Sequence, residues 1–165
     1  MANDKIIIVN EKDEVIGSDF RKNVGKGKIY RVSALWVENS QGDALLAQRA
    51  FTKSHSPGKW GPTVAGTNDE GENYDDNIIK EAEEEIGIKG LKFEKDVKIR
   101  VSGKYDYFCQ WYKLIIDRDL SEFKVDKKEI EQIKWFSKKE LRKSIESSPE
   151  MFVEALGEFI IKSIS

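Results

Sequence analysis

Residues 66–88 read GTNDEGENYDDNIIKEAEEEIGI, and this stretch determines how the rest of the chain is interpreted. Its apolar residues recur at helical spacing, at Ile78, Ala82 and Ile86. This periodicity predicts an amphipathic helix over residues 73–86, and Gly87 is a typical residue for a helix end. Because the same stretch is strongly acidic, we expect the predicted helix to carry the functional site.

The predicted helix concentrates negative charge. Nine acidic residues lie within residues 69–85, opposed there only by Lys80. Glu81, Glu84 and Glu85 are three and four positions apart, which places their carboxylates on one face of a helix. Like charges stacked in this way destabilise an isolated helix by roughly 0.2–0.5 kcal/mol per pair, which argues against a purely structural role. Converging carboxylates suit a hard divalent cation, and all-oxygen ligands favour Mg²⁺ or Mn²⁺.

The spacing within this stretch resembles the box of the Nudix hydrolases, G-x5-E-x7-R-E-U-x-E-E-x-G-U, where U is apolar. Every defined position of that pattern is matched except the arginine. Glu81, Glu84 and Glu85 match the metal-binding carboxylates of the family. Gly66 stands where a backbone carbonyl often joins those carboxylates, and Glu72 matches the glutamate thought to order the box. We call residues 66–88 the box segment.

The resemblance implies a Mg²⁺-dependent pyrophosphohydrolase, with Mn²⁺ as the other possible ion. Its substrate would be a diphosphate joined to a group X, with nucleoside diphosphate derivatives as the expected class. Glu81 and Glu85 are candidates for the base that takes the proton of the attacking water. The family sometimes uses a further glutamate from a later loop, for which Glu129 and Glu131 are the candidates.

Lys80 is the one departure from the box and belongs to the expected catalytic set. An arginine holds a carboxylate with two parallel hydrogen bonds, whereas a lysine offers a flexible point charge. We therefore expect Glu81 or Glu72 to be held less rigidly than in the family, and catalysis to be slower but not abolished.

Residues 9–87 are similar to one branch of the family, the part related to isopentenyl-diphosphate isomerase. The similarity includes Val15-Ile16-Gly17, Gln48-Arg49-Ala50, Lys53 and Pro57-Gly58-Lys59-Trp60. Arg49 and Lys53 match positions that contact diphosphate in the isomerase. They are the expected substrate-binding residues, together with Glu72.

Two alternatives to hydrolysis remain open. Isomerase chemistry needs a cysteine and a histidine where this chain has Ala65 and Thr67, and two upstream histidines near Gly25 and Tyr30. The other alternative is a nucleotide- or metal-binding module without turnover, of which Lys80 would be a sign of decay. The intact box glutamates argue against both alternatives.

Four further residues are expected to have no direct part in the chemistry. Trp60 is expected to be core or a loop anchor, with base stacking as the alternative. Tyr74 is expected to pack at a helix end, and Cys109, in a predicted strand, to be a buried hydrophobe. His55 lies in a polar loop and is expected to be exposed, with proton donation near Lys53 as the alternative.

Strands and helices are mixed around the box segment. The predicted strands are 5–9, 15–17, 29–37, 44–48, 93–101, 105–116 and 130–136, and residues 51–61 are predicted to be a loop. A capping box at Ser137 and Glu140 opens a helix to about Ser144, and Ser148-Pro149 opens a last helix. This order favours an α+β fold, an αβα sandwich with helices packed on a mixed β-sheet, as one domain over residues 1–165.

The composition excludes several classes of protein. The chain has 165 residues, of which 39% are hydrophobic and 35% charged, so intrinsic disorder is excluded. One cysteine and one histidine exclude a disulfide framework and a multi-histidine metal site. The net charge of −2 is too balanced to propose nucleic-acid binding, and no apolar run approaches the ~20 residues of a membrane span. We expect a cytoplasmic protein with a small-molecule diphosphate substrate, and a homodimer stays possible.

Overall fold

The computed structural model describes residues 4–25 and 27–163. The strands of the described part are β1 (Lys5–Val9), β2 (Val15–Phe20), β3 (Ile29–Glu38), β4 (Ala44–Arg49), β5 (Trp60–Gly61), β6 (Val64–Thr67), β7 (Glu94–Ser102), β8 (Asp106–Ile115) and β9 (Ile130–Phe136). The α-helices are α1 (Tyr74–Ile86), α2 (Lys138–Ser147) and α3 (Glu154–Ser163). Each strand and helix that the sequence predicts is present, with shifts at the ends.

Strand β3 is the centre of a mixed sheet. Along one edge it pairs antiparallel with β1, β6 and β4, and along the other edge it pairs parallel with β8. Strand β8 continues antiparallel to β7, and β4 continues antiparallel to β5 and β9. Strand β2 pairs with β1 at the end of the sheet. The parallel pair between β3 and β8 makes the sheet mixed, as predicted.

The helices cover both faces of this sheet. One core lies against α1 and includes Leu35, Val37, Ile78, Ala82 and Ile86. The other core lies against α2 and α3 and includes Ala34, Trp36, Trp111, Leu141 and Phe159. Successive residues of a strand point to opposite faces, so β3 contributes alternately to the two cores. The fold is α+β, and the predicted αβα sandwich is confirmed.

The segment between β4 and α1 differs from the prediction. The predicted loop over residues 51–61 ends in β5, and β6 was not predicted at all. The strands β5 and β6 have only two and four residues, so neither shows the alternation that identifies a strand. Strand β6 exists because its backbone pairs with β3, from Val32↔Thr67 to Leu35↔Val64.

The last helix begins later than the sequence indicates. Pro149 opens a single 3-10 turn instead, and α3 starts at Glu154. The interruption has a physical cause, because Val153 donates its backbone N–H to the carbonyl of Trp60 at 2.9 Å. Phe152 forms a bridge with the same strand residue, so these two residues stay extended.

In the two stretches that the structure describes, no helix combines the length and the apolar character that crossing a membrane requires.

Candidate functional site

The acidic helix begins and ends as the sequence predicts. The side chain of Asn73 accepts a hydrogen bond from the backbone N–H of Asp76 and caps the N-terminus of α1. Gly87 closes the helix in a left-handed conformation with φ of 72°, which glycine adopts without strain. The box segment therefore consists of β6 after its first two residues, a connecting loop, and α1 with its cap.

The loop between β6 and α1 is ordered by Glu72. One of its carboxylate oxygens accepts hydrogen bonds from the backbone N–H of Asp69 at 3.1 Å and from Nδ2 of Asn77 at 2.8 Å. Nδ2 of Asn77 also donates to the carbonyl of Thr67 at 3.1 Å. The other oxygen of Glu72 accepts from Lys80. Both oxygens are thus engaged inside the box segment, which is the ordering contact that the resemblance implies.

Gly66 lies directly against Glu81. A Cβ atom on residue 66 would lie 2.7 Å from Cδ of Glu81, closer than two carbon atoms can approach. Only glycine therefore lets the backbone of β6 and this carboxylate lie side by side. The backbone of β6 and the Glu81 carboxylate are therefore close neighbours, and backbone carbonyl and carboxylate oxygens are both ligands that suit a hard cation.

Glu81 and Glu85 form a carboxylate pair whose neighbouring cations do not offset the cost of burial. Burial raises the pKa of Glu81 to about 7, and the nearby charge of Glu84 adds to this effect. Glu85 is only 8% exposed, and burial raises its pKa well above the ordinary value, with further contributions from Glu81 and Glu129. Ionising both groups is unfavourable unless a cation lies between them, so the residues fit a divalent metal.

The three helix carboxylates are not equally placed. Glu84 is exposed at the rim, whereas Glu81 and Glu85 are largely buried. Within residues 4–25 and 27–163, no three histidine, cysteine, aspartate or glutamate side chains meet closely enough to form a ready-made cation cage. The structure thus brings Glu81 and Glu85 together and leaves Glu84 on the same flank, nearer to solvent.

Lys80 is held by acidic side chains on three sides. Its Nζ atom donates to Glu72, lies 3.2 Å from Oδ2 of Asp69 and lies 3.7 Å from Oε1 of Glu81. Burial alone would lower the pKa of Lys80, but the hydrogen bonds to Glu72 and Asp69 raise it above its usual range. The lysine therefore stays charged, although its shortest contacts go to the loop and not to Glu81.

The basic candidates lie on the other side of Glu85. Nζ of Lys53 lies 2.5 Å from Oε2 of Glu129, and the carbonyl of Glu129 accepts from the backbone of Ala50 at 3.0 Å. The charges of Arg49, Lys53 and Glu129 all act on the carboxyl of Glu85. The structure therefore brings these candidates to the buried end of the carboxylate pair.

The second loop candidate lies elsewhere. Glu131 is exposed in β9, where its carbonyl accepts from Nζ of Lys127 at 2.9 Å. Glu129, which precedes β9, is the candidate that reaches the site. The loop is held there because the N–H of Asp126 donates to the carbonyl of Glu85 at 2.8 Å.

Arg49 also shapes the loop that follows it. Its Nε atom donates to the carbonyl of His55 at 2.8 Å. The ring of His55 stacks on Tyr105, with ring centroids 4.3 Å apart. His55 is exposed, as expected, but it is not free of contacts, because this stack ties the loop to the turn between β7 and β8.

Trp60, Tyr74 and Cys109 have structural roles, as expected. Trp60 meets Phe136 edge to face at 5.2 Å between ring centroids. The hydroxyl of Tyr74 donates to Asp13 at 2.9 Å. Cys109 is 1% exposed in the core between the sheet and α3, and burial raises the pKa of its thiol.

Two charged residues at the site were missed by the sequence reasoning. Asp69 lies in the box segment at a position for which the pattern specifies nothing, and Arg21 lies far upstream. Nη2 of Arg21 is 2.8 Å from Oδ1 of Asp69, and Asp69 also contacts Lys80. The acidic run contained a signal for Asp69, but nothing in the local sequence points to Arg21.

Comparisons with known proteins find a matching domain family, similar sequences and a similar fold. A family model described as the NUDIX domain matches residues 27–156. A protein of Yersinia pestis named an uncharacterized Nudix hydrolase is 29% identical over 140 residues, which are 81% of this chain and 73% of that protein. An isopentenyl-diphosphate Delta-isomerase of Aliivibrio fischeri is 27% identical over 158 residues, which are 89% of this chain and 87% of that protein. A crystal structure of a Deinococcus radiodurans protein has the same fold, with a TM-score of 0.84 and 24% identity over 98% of this chain and 99% of that chain.

Proposed function

This chain belongs to the Nudix hydrolase family, whose members act on phosphorus-containing acid anhydrides, and on that premise we propose that it is a Mg²⁺-dependent pyrophosphohydrolase of nucleoside diphosphate derivatives. The observation that carries the proposal is the pair of buried carboxylates, Glu81 and Glu85, of which Glu81 lies against Gly66. Such a pair is unfavourable without a cation, and a fold has little reason to retain it unless a cation binds.

The residues that would hold Mg²⁺ are Glu81, Glu85 and, from the rim, Glu84, with the carbonyl of Gly66 beside them. Mn²⁺ suits the same oxygen donors. When bound, the ion neutralises charge on diphosphate oxygens and makes a nearby water more acidic.

The basic residues supply the substrate contacts. Arg49 and Lys53 lie beside Glu85 and carry the positive charge that diphosphate oxygens require. An arginine presents several N–H donors, so Arg49 can bond to a phosphate while its Nε atom stays on the carbonyl of His55. A diphosphate bound here lies between two cationic side chains and the carboxylate pair.

Three carboxylates are in place to take the proton of the attacking water. Glu81 and Glu85 lie closest to the proposed metal, and Glu129 approaches from the opposite loop. Glu129 is paired with Lys53 at 2.5 Å, so substrate that draws Lys53 away would free the carboxylate. Lys80 does not touch these groups at hydrogen-bond distance and acts by holding the loop through Glu72.

The isomerase alternative finds no support at the site. Cys109 is the chain's one cysteine, and it is buried in the core on the α3 side of the sheet. Ala65 and Thr67 occupy the positions where the isomerase needs its reactive groups, and both lie in β6. His55 is the chain's one histidine and stacks on Tyr105, so the isomerase's set of histidines is missing.

The experiment that tests the proposal measures phosphate release from nucleoside diphosphates, dinucleoside polyphosphates, nucleotide sugars and NADH, with Mg²⁺ or Mn²⁺ and a coupled phosphatase. Glu85→Gln is the test variant, and Glu83→Gln, an exposed glutamate of the same helix, is its matched control. Metal-dependent turnover that is lost only in Glu85→Gln supports the proposal and identifies X. No turnover together with Mn²⁺ binding would support the binding module instead.

A further inference from the structure

A buried carboxylate connects two cations next to the box glutamates. Asp69 is 8% exposed, and its two oxygens face different partners. Oδ1 lies 2.8 Å from Nη2 of Arg21, and Oδ2 lies 3.2 Å from Nζ of Lys80. Lys80 in turn donates to Glu72. The four side chains thus alternate in charge in the order Arg21, Asp69, Lys80 and Glu72. Glu72, the last of them, is the residue that orders the loop between β6 and α1.

Arg21 comes from outside the segment that the family model matches, which starts at residue 27. It follows the hairpin of β1 and β2, and its backbone N–H donates to the carbonyl of Asp4 at 2.8 Å. The hairpin is joined to the loop by backbone hydrogen bonds, since Glu70 donates to the carbonyl of Lys5 at 3.0 Å. The N-terminal hairpin therefore presents a guanidinium to the box segment.

The contact between Arg21 and Asp69 offsets the loose attachment expected of a lysine at position 80. A lysine at position 80 is a single point donor with three acidic neighbours, so alone it can move between them. Arg21 neutralises Asp69 on one side and keeps its second oxygen directed at Lys80. Without that partner, the buried aspartate would depend on Lys80 alone for a compensating charge, and it would compete with Glu72 for the lysine.

We propose that Arg21 is a positioning residue that compensates, through Asp69, for the lysine at the arginine position of the box. Arg21 fixes Lys80 between Asp69 and Glu72, so that Glu72 keeps the loop and the N-terminal half of α1 in register. The effect on catalysis rests on the proposed function, whereas the effect on the loop does not.

The test compares Arg21→Ala, Lys80→Arg and the double variant, with Lys22→Ala as the control. Lys22 neighbours Arg21, and its Nζ atom lies over the ring of Phe20, 5.6 Å from the centroid. Two amides are followed by hydrogen exchange in metal-free protein. The amide of Asp69 donates to Glu72 and reports on the loop, and the amide of Glu70 donates to Lys5 and reports on the hairpin.

In Arg21→Ala we expect exchange of the Asp69 amide to accelerate about tenfold. We expect kcat on the substrate found by the panel to fall about fivefold to tenfold with little change in KM. Adding Lys80→Arg restores the exchange rate of the Asp69 amide and kcat, because the new guanidinium spans Asp69 and Glu72. The exchange rate of the Glu70 amide, by contrast, keeps whatever change Arg21→Ala caused. Lys22→Ala behaves as wild type.

Wild-type exchange at Asp69 in Arg21→Ala overturns the proposal. So does a defect that persists unchanged in the double variant, because Arg21 would then serve only the stability of the hairpin. If Arg21→Ala does not fold, Arg21→Gln keeps most of the side-chain packing and is measured in the same way. If wild type hydrolyses nothing, the proposed function fails, and the exchange of the Asp69 amide still decides the role of Arg21.

Discussion

Gly66 and Glu81 lie so close together that a single methyl group on residue 66 would overlap the carboxylate, with 2.7 Å between its Cβ and Cδ of Glu81. The contact joins β6 to the acidic face of α1. The sequence predicts this face of the helix but does not predict the strand. The position of the proposed cation site therefore depends on a backbone pairing with β3 as much as on the helix.

Gly66→Ala tests this contact directly. Because Glu81 must move away, we expect the variant to lose metal-dependent turnover and to unfold more easily by about 1–3 kcal/mol. Urea unfolding and Mn²⁺ titration measure the two effects. Gly157→Ala in α3 is the control, since nothing lies within 4 Å of its added Cβ, and there we expect a gain of up to about 1 kcal/mol. Unchanged Mn²⁺ affinity in Gly66→Ala would contradict the prediction.

The metal-free protein should become more stable on mild acidification. Burial raises the pKa of Glu81 from an ordinary 4.5 to about 7, and that of Glu85 rises as well. A carboxyl with a raised pKa in the folded state binds its proton more tightly there than in the unfolded chain, so stability increases as pH falls from about 7.5 to about 5. Glu72, whose hydrogen bonds lower its pKa, opposes this at lower pH, and His55, whose pKa burial lowers, opposes it as pH falls below about 6.5, so the comparison with Glu81→Gln isolates the carboxyl effect.

The measurement is the urea midpoint in the presence of EDTA across that pH range. Glu81→Gln should flatten the dependence, and saturating Mg²⁺ at about pH 7.5 should raise the midpoint because the ion binds only the folded site. The exposed Glu83→Gln is expected to follow wild type. A midpoint that falls steadily on acidification in wild type would show that the two carboxyls are not destabilised by burial.

Arg49 should matter for more than its charge. Its Nε atom holds the carbonyl of His55, and its charge acts on Glu85. We expect Arg49→Ala to lower kcat/KM by about 10–100-fold, and Arg49→Lys to recover only part of it, since lysine cannot make both contacts. Lys59→Ala, in the same loop, is the control for general loss of positive charge. Full recovery by Arg49→Lys would show that charge alone matters.

Two glutamates on either side of Ile130, the first residue of β9, provide a matched pair. Glu129 lies at the site with Lys53, whereas Glu131 is exposed on β9. If Glu129 takes the proton of the attacking water, Glu129→Gln lowers kcat by about 100-fold or more. Glu131→Gln should leave kcat within a factor of about two of wild type. Steady-state kinetics on the substrate found by the panel decides this, and equal effects of the two substitutions would remove Glu129 from the proposed mechanism.

Local patterns predicted those helices and strands whose own residues show a regular spacing or a run of typical side chains. Helix α1 was found from apolar spacing and its glycine end, and the longer strands from their β-branched runs. Strands β5 and β6 have too few residues for any period. The start of α3 was misplaced because Pro149 is a strong helix signal, whereas the bond from Val153 to Trp60 that delays the helix joins residues far apart in the sequence.

Local spacing alone identifies the carboxylates that share a face, because positions three and four apart on a helix are neighbours whatever surrounds the helix. That rule selected Glu81, Glu84 and Glu85 together, and the fold then left Glu84 exposed. The cations near these carboxylates and their loop depend on the tertiary fold, which places Lys53 beside Glu129 and Arg21 against Asp69. Strand pairing brings these cations and carboxylates together although they are far apart in the sequence, so no local spacing predicts their contacts.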